Sequence, residues 1–326
     1  MGELLERRRK ENEERIERLR AELTEGEVRC TEKACVYAIG SFGRKEASPH
    51  SDLDLFIAGL TKDKRPLLRP LDEILVKADL IEVTRRHKIP EFSGDGRYLV
   101  HYTVDELVDT LGTREDDAKN TFTARLLLLL ESQPLLGRTV YAKITEDVIT
   151  AYWRDFEDHK SDFIPAFLAN DILRMWRTFC VNYEAATQSA PAEEKAKRKL
   201  KNYKLKHSRL LTCYSALLYL LASYSRKGTV SPSDAVEMIK MSPTQRLEWL
   251  MGQAASDAHS KILDLLNQYE RFLASTDASE DSLIKNFLDK EQSKMYLDSA
   301  YRFGDLVAES LEIIGQGNRF YRLIVV

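Results

Sequence analysis

Cysteine is scarce in this chain, with four in 326 residues: Cys30, Cys35, Cys180 and Cys213. Their separations match no metal-ligand spacing and three lie in apolar patterns. They read as reduced, mostly buried thiols of a cytoplasmic protein, not as a disulfide framework or a zinc site. Long hydrophobic runs are missing as well. Apolar runs such as Leu126–Leu130 and Ala216–Ala222 fall far short of the roughly 20 residues needed to cross a bilayer, so no membrane partner is expected. The first twenty residues, MGELLERRRKENEERIERLR, are charged throughout and hold no signal-peptide core. Charge of one sign is also lacking: 49 Lys and Arg against 52 Asp and Glu leave a net charge of −3. A nucleic-acid-coating protein needs a basic surface to neutralise phosphates, so nucleic acid is a possible partner only through a local patch and is not favoured. Beyond residue 144 there is no Asn-Gly or Asp-Gly hairpin signal and no alternating strand pattern. No internal repeat is visible.

What is present is concentrated in one stretch, YAIGSFGRKEASPHSDLDLFIAG, Tyr37 to Gly59. The apolar run Cys35–Ile39 reads as a buried strand that stops at Gly40-Ser41. Glycine there lets backbone approach a ligand closely, and a short helix opening at that turn offers free N–H groups, the usual phosphate cradle. Arg44 and Lys45 add two cations. After a Ser-Pro-His loop comes Ser-Asp-Leu-Asp-Leu-Phe-Ile. In an extended strand, Asp52 and Asp54 project to one face while Leu53 and Leu55 point into the core. Two parallel carboxylates opposite a phosphate-binding turn suit phosphoryl or nucleotidyl transfer dependent on Mg²⁺.

Gly40-Ser41, ten residues Phe42–Ser51, then Asp52-Leu53-Asp54 resembles the nucleotidyltransferase superfamily of DNA polymerase β. The longer form GSFGRKE…SDLDL is most similar to the branch containing the PII-protein uridylyltransferases and bacterial nucleotidyltransferase-like proteins of unknown function. The resemblance implies Mg²⁺ (or Mn²⁺) held by Asp52 and Asp54, a nucleoside triphosphate (NTP) bound through Gly40, Ser41 and Arg44, and transfer of its nucleotidyl group to an acceptor. That acceptor is unidentified: a protein, a small molecule, a tRNA end or a second nucleotide. The family adds a third carboxylate from a later strand. No Asp stands in the middle of the third strand here, and Glu91 or Asp95 is nearest. The rival class is a nucleotide-binding regulatory or interaction module that keeps the fold without turnover.

Taken in order, residues 2–24 form a helix with a thin apolar stripe (Leu4, Leu5, Ile16, Leu19, Leu23), read as packing on the sheet and ended by Thr24-Glu25-Gly26. LTKDKRPLLRP is a basic, proline-marked loop. A helix from Leu71 to about His87 follows, with Ile74, Leu75, Ala78, Leu80, Ile81 and Val83 as its apolar positions. Arg97–Tyr102 alternates like a third strand. Thr113 with Asp116 reads as a capping box, and the helix through Leu126–Leu130 is buried, with Arg125 and Glu131 as a structural charge pair at its ends. From Ile144 onward the pattern predicts helices at 144–159, 163–186, 192–225, 231–240, 243–274 and 280–314. The expected fold is therefore α+β: a small mixed nucleotidyltransferase sheet with flanking helices over residues 1–142, then an all-α bundle over 143–326. That bundle shows no His-Asp pair of the kind the uridylyltransferases carry in their second catalytic domain.

Two of those helices carry unusual chemistry. In FIPAFLANDILRMWRTFCVNYE, Asn170, Arg174 and Arg177 form one stripe beside the apolar positions, and Asp171, Thr178 and Asn182 the next. Arginine forks suit anions. In KAKRKLKNYKLKHSRLL, eight Lys or Arg fall between Lys195 and Arg209, and Lys204 with His207 continues the stripe of Leu211, Tyr214, Leu218 and Leu221. Arg174, Arg177, Lys204 and Arg209 are the candidate nucleotide-binding cations, against the alternative of an ordinary solvated basic helix paired with acidic neighbours.

Overall fold

A computed structural model describes residues 2–92, 99–185, 191–253 and 256–325. The chain divides into two compact units, Glu3–Arg154 and Asp155–Val326, and each is α-rich with the only sheets in the first among the described residues. The α+β expectation holds. The unit boundary lies twelve residues later than 142/143. The helix at Arg138–Tyr152 belongs to the first unit, because its stripe of Val140, Ile144, Val148, Ile149 and Tyr152 is buried there, against the sheet.

The first unit runs α1 (Glu3–Glu22), α2 (Thr24–Cys30), β1 (Ala34–Ala38), α3 (Gly40–Gly43), β2 (Leu55–Gly59), β3 (Thr61–Lys62), β4 (Arg65–Pro66), α4 (Pro70–Arg86), β5 (His101–Thr103), α5 (Val104–Asp109), α6 (Glu115–Ala118), α7 (Thr121–Leu130), β6 (Gln133–Leu136) and α8 (Arg138–Tyr152). The main sheet has the order β5-β2-β1-β6. β1 pairs antiparallel with β2 (Val36 opposite Ile57, Tyr37 opposite Phe56) and with β6, while β2 and β5 run parallel (Ile57 opposite His101). A parallel pair needs a crossover, and α4 lies within it.

β1 and β2 are buried at every residue, as expected of strands covered on both faces. Val36, Ala38, Leu55 and Ile57 join Ile16 and Leu19 of α1, Leu23 just after it, and Val76, Leu80 and Val83 of α4 in one core. Tyr37 and Phe56 point the other way, with ring centroids 5.8 Å apart and Tyr37 near Tyr141 of α8. The N-terminal helix thus packs on the sheet as expected. It does not end the helical region, since Thr24-Glu25-Gly26 opens α2.

Four local readings are corrected. LTKDKRP is a hairpin, not a loop, because Asp63 and Lys64 both take left-handed φ (52° and 62°) and close β3 on β4. Of the apolar positions on α4, Leu80 and Val83 are buried, while Ile74, Leu75 and Ile81 are exposed. The capping box stands at Thr103–Glu106, not Thr113–Asp116: the Thr103 hydroxyl accepts the Glu106 N–H and the Glu106 carboxylate accepts the Thr103 N–H. Arg125 and Glu131 are both buried, and each has strong partners elsewhere. Arg125 forks onto Asp116 at 3.0 and 2.6 Å, with the Leu107 carbonyl and Tyr152 hydroxyl as further acceptors. Glu131 takes Arg44.

The second unit contains α9 (Ala166–Ala185), α10 (Ala192–Lys204), α11 (Leu210–Lys227), α12 (Pro232–Lys240), α13 (Pro243–Gln253), α14 (Ser256–Ser275), α15 (Glu280–Leu288), α16 (Lys290–Gly315) and α17 (Arg319–Val325). A π-helical turn, Leu205–Arg209, joins α10 to α11. Nearly every residue of α11 from Leu210 to Ser223 is buried, and α9, α12, α13, α16 and α17 pack around it. No helix among the described residues is long and apolar enough to cross a membrane.

Candidate active site

The site is built where β1 stops. Ile39 is extended and donates its N–H to the Asp54 carbonyl at 3.0 Å, carrying the β1–β2 pairing one step past the strands. Gly40 then turns with φ +65°, and α3 closes with the Gly43 N–H on the Ile39 carbonyl and the Arg44 N–H on the Gly40 carbonyl. A side chain at Gly40 would be strained at that φ. Its Cβ would also stand 3.1 Å from Asp54 Oδ2, so the turn lies directly against the Asp54 carboxylate.

Asp52 and Asp54 precede β2 instead of lying in it, because the strand begins at Leu55. The alternation survives: Leu53 and Leu55 are buried, Asp52 and Asp54 half-buried. The loop feeding them is fixed by short polar contacts. The Ser51 hydroxyl accepts the Ser48 N–H at 2.9 Å, and the Ser48 hydroxyl accepts the His50 N–H at 3.1 Å.

Behind the turn lies a buried charge network. Glu131, whose side chain is fully buried, accepts the Gly40 N–H at 3.2 Å through Oε1 and Arg44 Nη1 at 2.8 Å through Oε2. Arg44 Nε donates to Glu46 at 2.5 Å. Arg44, expected as a phosphate ligand, is thus a buried cation flanked by two carboxylates, and its observed contacts hold the turn. Gly43 is required for a different reason from Gly40. A Cβ there would meet the Glu131 carbonyl oxygen at 1.9 Å, so α3 and the end of α7 touch backbone to backbone. Ser41 is half-buried, and its carbonyl accepts the Glu46 N–H at 2.9 Å.

α1 grips the same segment from outside. Asn12 Nδ2 donates to the Phe42 carbonyl at 3.2 Å, Arg8 to the Glu46 carbonyl at 3.3 Å and Arg15 to the Ser48 carbonyl at 2.8 Å. The Arg15 guanidinium also lies 4.5 Å over the Phe42 ring. Gln133 of β6 donates to the Phe42 carbonyl too. These residues escaped the sequence reading, although Arg8 and Asn12 fill the gap between Leu5 and Ile16 at helical spacing.

A third metal-binding carboxylate is not brought to this place by the described residues, which contain no group of three or more His, Cys, Asp or Glu able to hold a metal ion. Glu91 is exposed and pairs with Arg85 at 3.5 Å. Asp95 lies outside the described residues. Two half-buried carboxylates still fit Mg²⁺, which commonly takes one or two from a protein and completes its shell with phosphate oxygens and water.

In the second unit, Arg174 and Arg177 lie together along one cavity between α9 and α17. Arg174 is half-exposed, with Asp171 at 3.8 Å. Arg209 is half-buried, 5.5 Å over the Phe179 ring. Lys204 does not face inward: it is exposed, and Tyr203 takes the buried place. The π turn is the cause, since its wider winding between Lys204 and Leu211 shifts Lys204 out of phase with the buried stripe that follows. His207 is fully buried as expected, with Nδ1 3.0 Å from the Tyr203 carbonyl and the ring stacked on Phe272 at 4.5 Å and Phe303 at 4.8 Å. Much of the Lys195–Arg209 run is a solvated face: Lys197 pairs with Glu280, Arg198 with Glu194, and Lys206 sits over the Tyr301 ring.

No family model matches the chain, and no curated protein matches it.

Proposed function

We propose that the protein is a nucleotidyltransferase, moving a nucleoside monophosphate from an NTP to an acceptor hydroxyl or comparable nucleophile. The observation that carries this reading is the contact between Gly40 and Asp54, where a Cβ would stand 3.1 Å from the carboxylate. A turn that tight against a carboxylate leaves backbone, not side chain, at the place a triphosphate would occupy. Asp52 and Asp54, on one half-buried side of the segment entering β2, are the pair that would hold Mg²⁺. A Mg²⁺ ion held there would supply neutralisation of phosphate charge and stabilisation of the departing pyrophosphate.

The chain's own residues have three tasks. Gly40, whose own N–H is held by Glu131, lets a phosphate come close to the turn, and Ser41 presents its N–H and hydroxyl to the β- and γ-phosphates. Asp52 and Asp54 would hold the cation and accept a hydrogen bond from the attacking hydroxyl, which orients it for attack. The Arg44–Glu131–Glu46 network keeps the turn from relaxing when a charged ligand arrives, which is the form preorganisation takes in electrostatic catalysis. The acceptor hydroxyl gives up its proton to solvent or to the Asp52 or Asp54 carboxylate as its oxygen forms the new bond to α-phosphorus; the bond to the bridging oxygen breaks, and pyrophosphate carries that electron pair away.

A second reading, a nucleotide-binding module of the same fold without turnover, is favoured by one observation: no described carboxylate joins Asp52 and Asp54. Incubating the full chain with each labelled NTP and Mg²⁺ separates the two. Pyrophosphate release above blank, lost about 10³-fold in Asp54→Asn as removal of one charged ligand implies, supports transfer. NTP binding with no release supports the module. Near wild-type turnover in Asp54→Asn would sink the assignment of that residue. A mass-shift scan of lysate proteins after the same incubation identifies a protein acceptor.

A further inference from the structure

The cavity between α9 and α17 has about 390 Å³ of room, inside the range of roughly 300–1,000 Å³ usual for small-molecule sites. Its lining is segregated by chemistry. Asn170, Arg174, Arg177 and Thr178 form a polar edge from one face of α9. Leu173 and Ile324, both buried, with half-buried Leu323 and the exposed Val181, form an aliphatic wall from both helices. No carboxylate stands among its described lining residues. Asp171 is set back and mostly buried, 3.8 Å from Arg174, so it orients that guanidinium more than it fills the cavity. Arg177 is exposed and has no ion pair among the described residues.

We propose that this cavity binds a small anion with an aliphatic body, an alkyl carboxylate or alkyl phosphate, with its head on Arg174 and Arg177 and its chain along Leu173, Leu323 and Ile324. Two guanidinium forks three residues apart on one helix offer bidentate donors to a planar carboxylate or a phosphate. An inorganic anion would leave the aliphatic wall unused. A nucleotide base would find no ring to stack on, since none of the described lining residues is aromatic. The site lies wholly in the second unit and does not depend on nucleotidyl transfer.

The test is calorimetric titration of the full chain, without Mg²⁺ or NTP, using butanoate, hexanoate, octanoate, octyl phosphate and octanol as free monomers. Affinity is expected to tighten about fourfold per added methylene, the ratio that burying one CH₂ gives, with octanol far weaker than octanoate. Arg174→Ala/Arg177→Ala should weaken octanoate about tenfold or more, as loss of charged hydrogen bonds implies. Leu323→Gln, at a half-buried position that should not threaten the fold, should flatten the chain-length dependence. Asp52→Asn/Asp54→Asn should bind octanoate like wild type, which keeps this test separate from the transfer reaction. The comparison of octanoate with octyl phosphate identifies the preferred head. Affinity independent of chain length, binding unchanged in the double arginine variant, binding lost in the double aspartate variant, or capture only by vesicles of anionic phospholipid would each overturn the proposal.

Discussion

Glu131→Gln is the sharpest probe of how the turn at Gly40 is held. The substitution keeps shape and volume, so no cavity opens. It fails on donors. Glu131 accepts on both oxygens, from the Gly40 N–H at 3.2 Å and from Arg44 Nη1 at 2.8 Å. A glutamine has one oxygen and one NH₂ to set in those two places. If its oxygen faces Arg44, the NH₂ meets the Gly40 N–H; if the oxygen faces Gly40, the NH₂ meets the guanidinium. Either way a donor faces a donor in a site without exposed surface. Leaving a buried donor unsatisfied costs about 1–3 kcal/mol, and losing a charged bond a similar amount. Arg44 keeps Glu46 at 2.5 Å, which holds the loss below the about 3–5 kcal/mol of a buried pair broken outright. An opening free energy lower by about 2 kcal/mol corresponds to amide exchange roughly 30-fold faster. Hydrogen exchange read on peptides spanning Val36–Ala47 measures this locally, with peptides of α11 as the control. Unchanged exchange over Gly40–Arg44 would refute the claim that Glu131 holds the turn.

Three other outcomes are expected. Gly40→Ala forces an alanine to φ +65° beside Asp54, costing about 1–2 kcal/mol and weakening binding of a non-hydrolysable NTP; calorimetry showing wild-type affinity would remove the turn from the mechanism. Asp116→Ala removes the carboxylate that takes both terminal nitrogens of Arg125, which has no exposed surface, and should cost about 3–5 kcal/mol in denaturant titration, whereas Asp116→Leu with Arg125→Met should cost far less. Burial lowers the His207 pKa to about 4 from the ordinary 6.5. The unfolded chain therefore takes up the proton first, and the contribution of neutral His207 is present above pH 6.5 and lost as pH falls toward 4. The loss should be about 2 kcal/mol by pH 5, measured as the difference between wild type and His207→Leu; parallel pH profiles for the two proteins would contradict it.

What could be read locally was read well. The end of β1 at Gly40, the alternation through Leu53 and Leu55, and most helices of the second unit follow from periodicity and turn chemistry, which act over a few residues. The misses share a different cause. β6 is four residues with a proline, Gln133–Leu136, and survives only because it is an edge strand on β1. Lys204 points outward because the π turn at Leu205–Arg209 breaks the phase on which an inward stripe was counted. Arg44 and Glu131 are 87 residues apart, and nothing near either one names the other.

α1 shows how such long-range choices still leave a trace. Its inward positions run Leu5, Arg8, Asn12, Ile16 and Leu19, an unbroken helical stripe of buried residues that Leu23 continues just past its end. Read for hydrophobicity alone, the stripe has a hole at Arg8 and Asn12. Read for burial, it has none, and the two polar residues are where the helix passes the carbonyls of Phe42 and Glu46. Those carbonyls belong to the short helix and its exit, where Arg44 N–H and Gly43 N–H complete the turn but leave other oxygens facing inward without strand partners. A buried carbonyl needs a donor, and here polar side chains on the covering helix supply one, at Phe42 alongside the Lys45 N–H and Gln133. Polar residues at apolar phase on a helix that must cover the sheet therefore mark the place where the backbone beneath departs from regular structure, and in this chain that place is the turn facing Asp54.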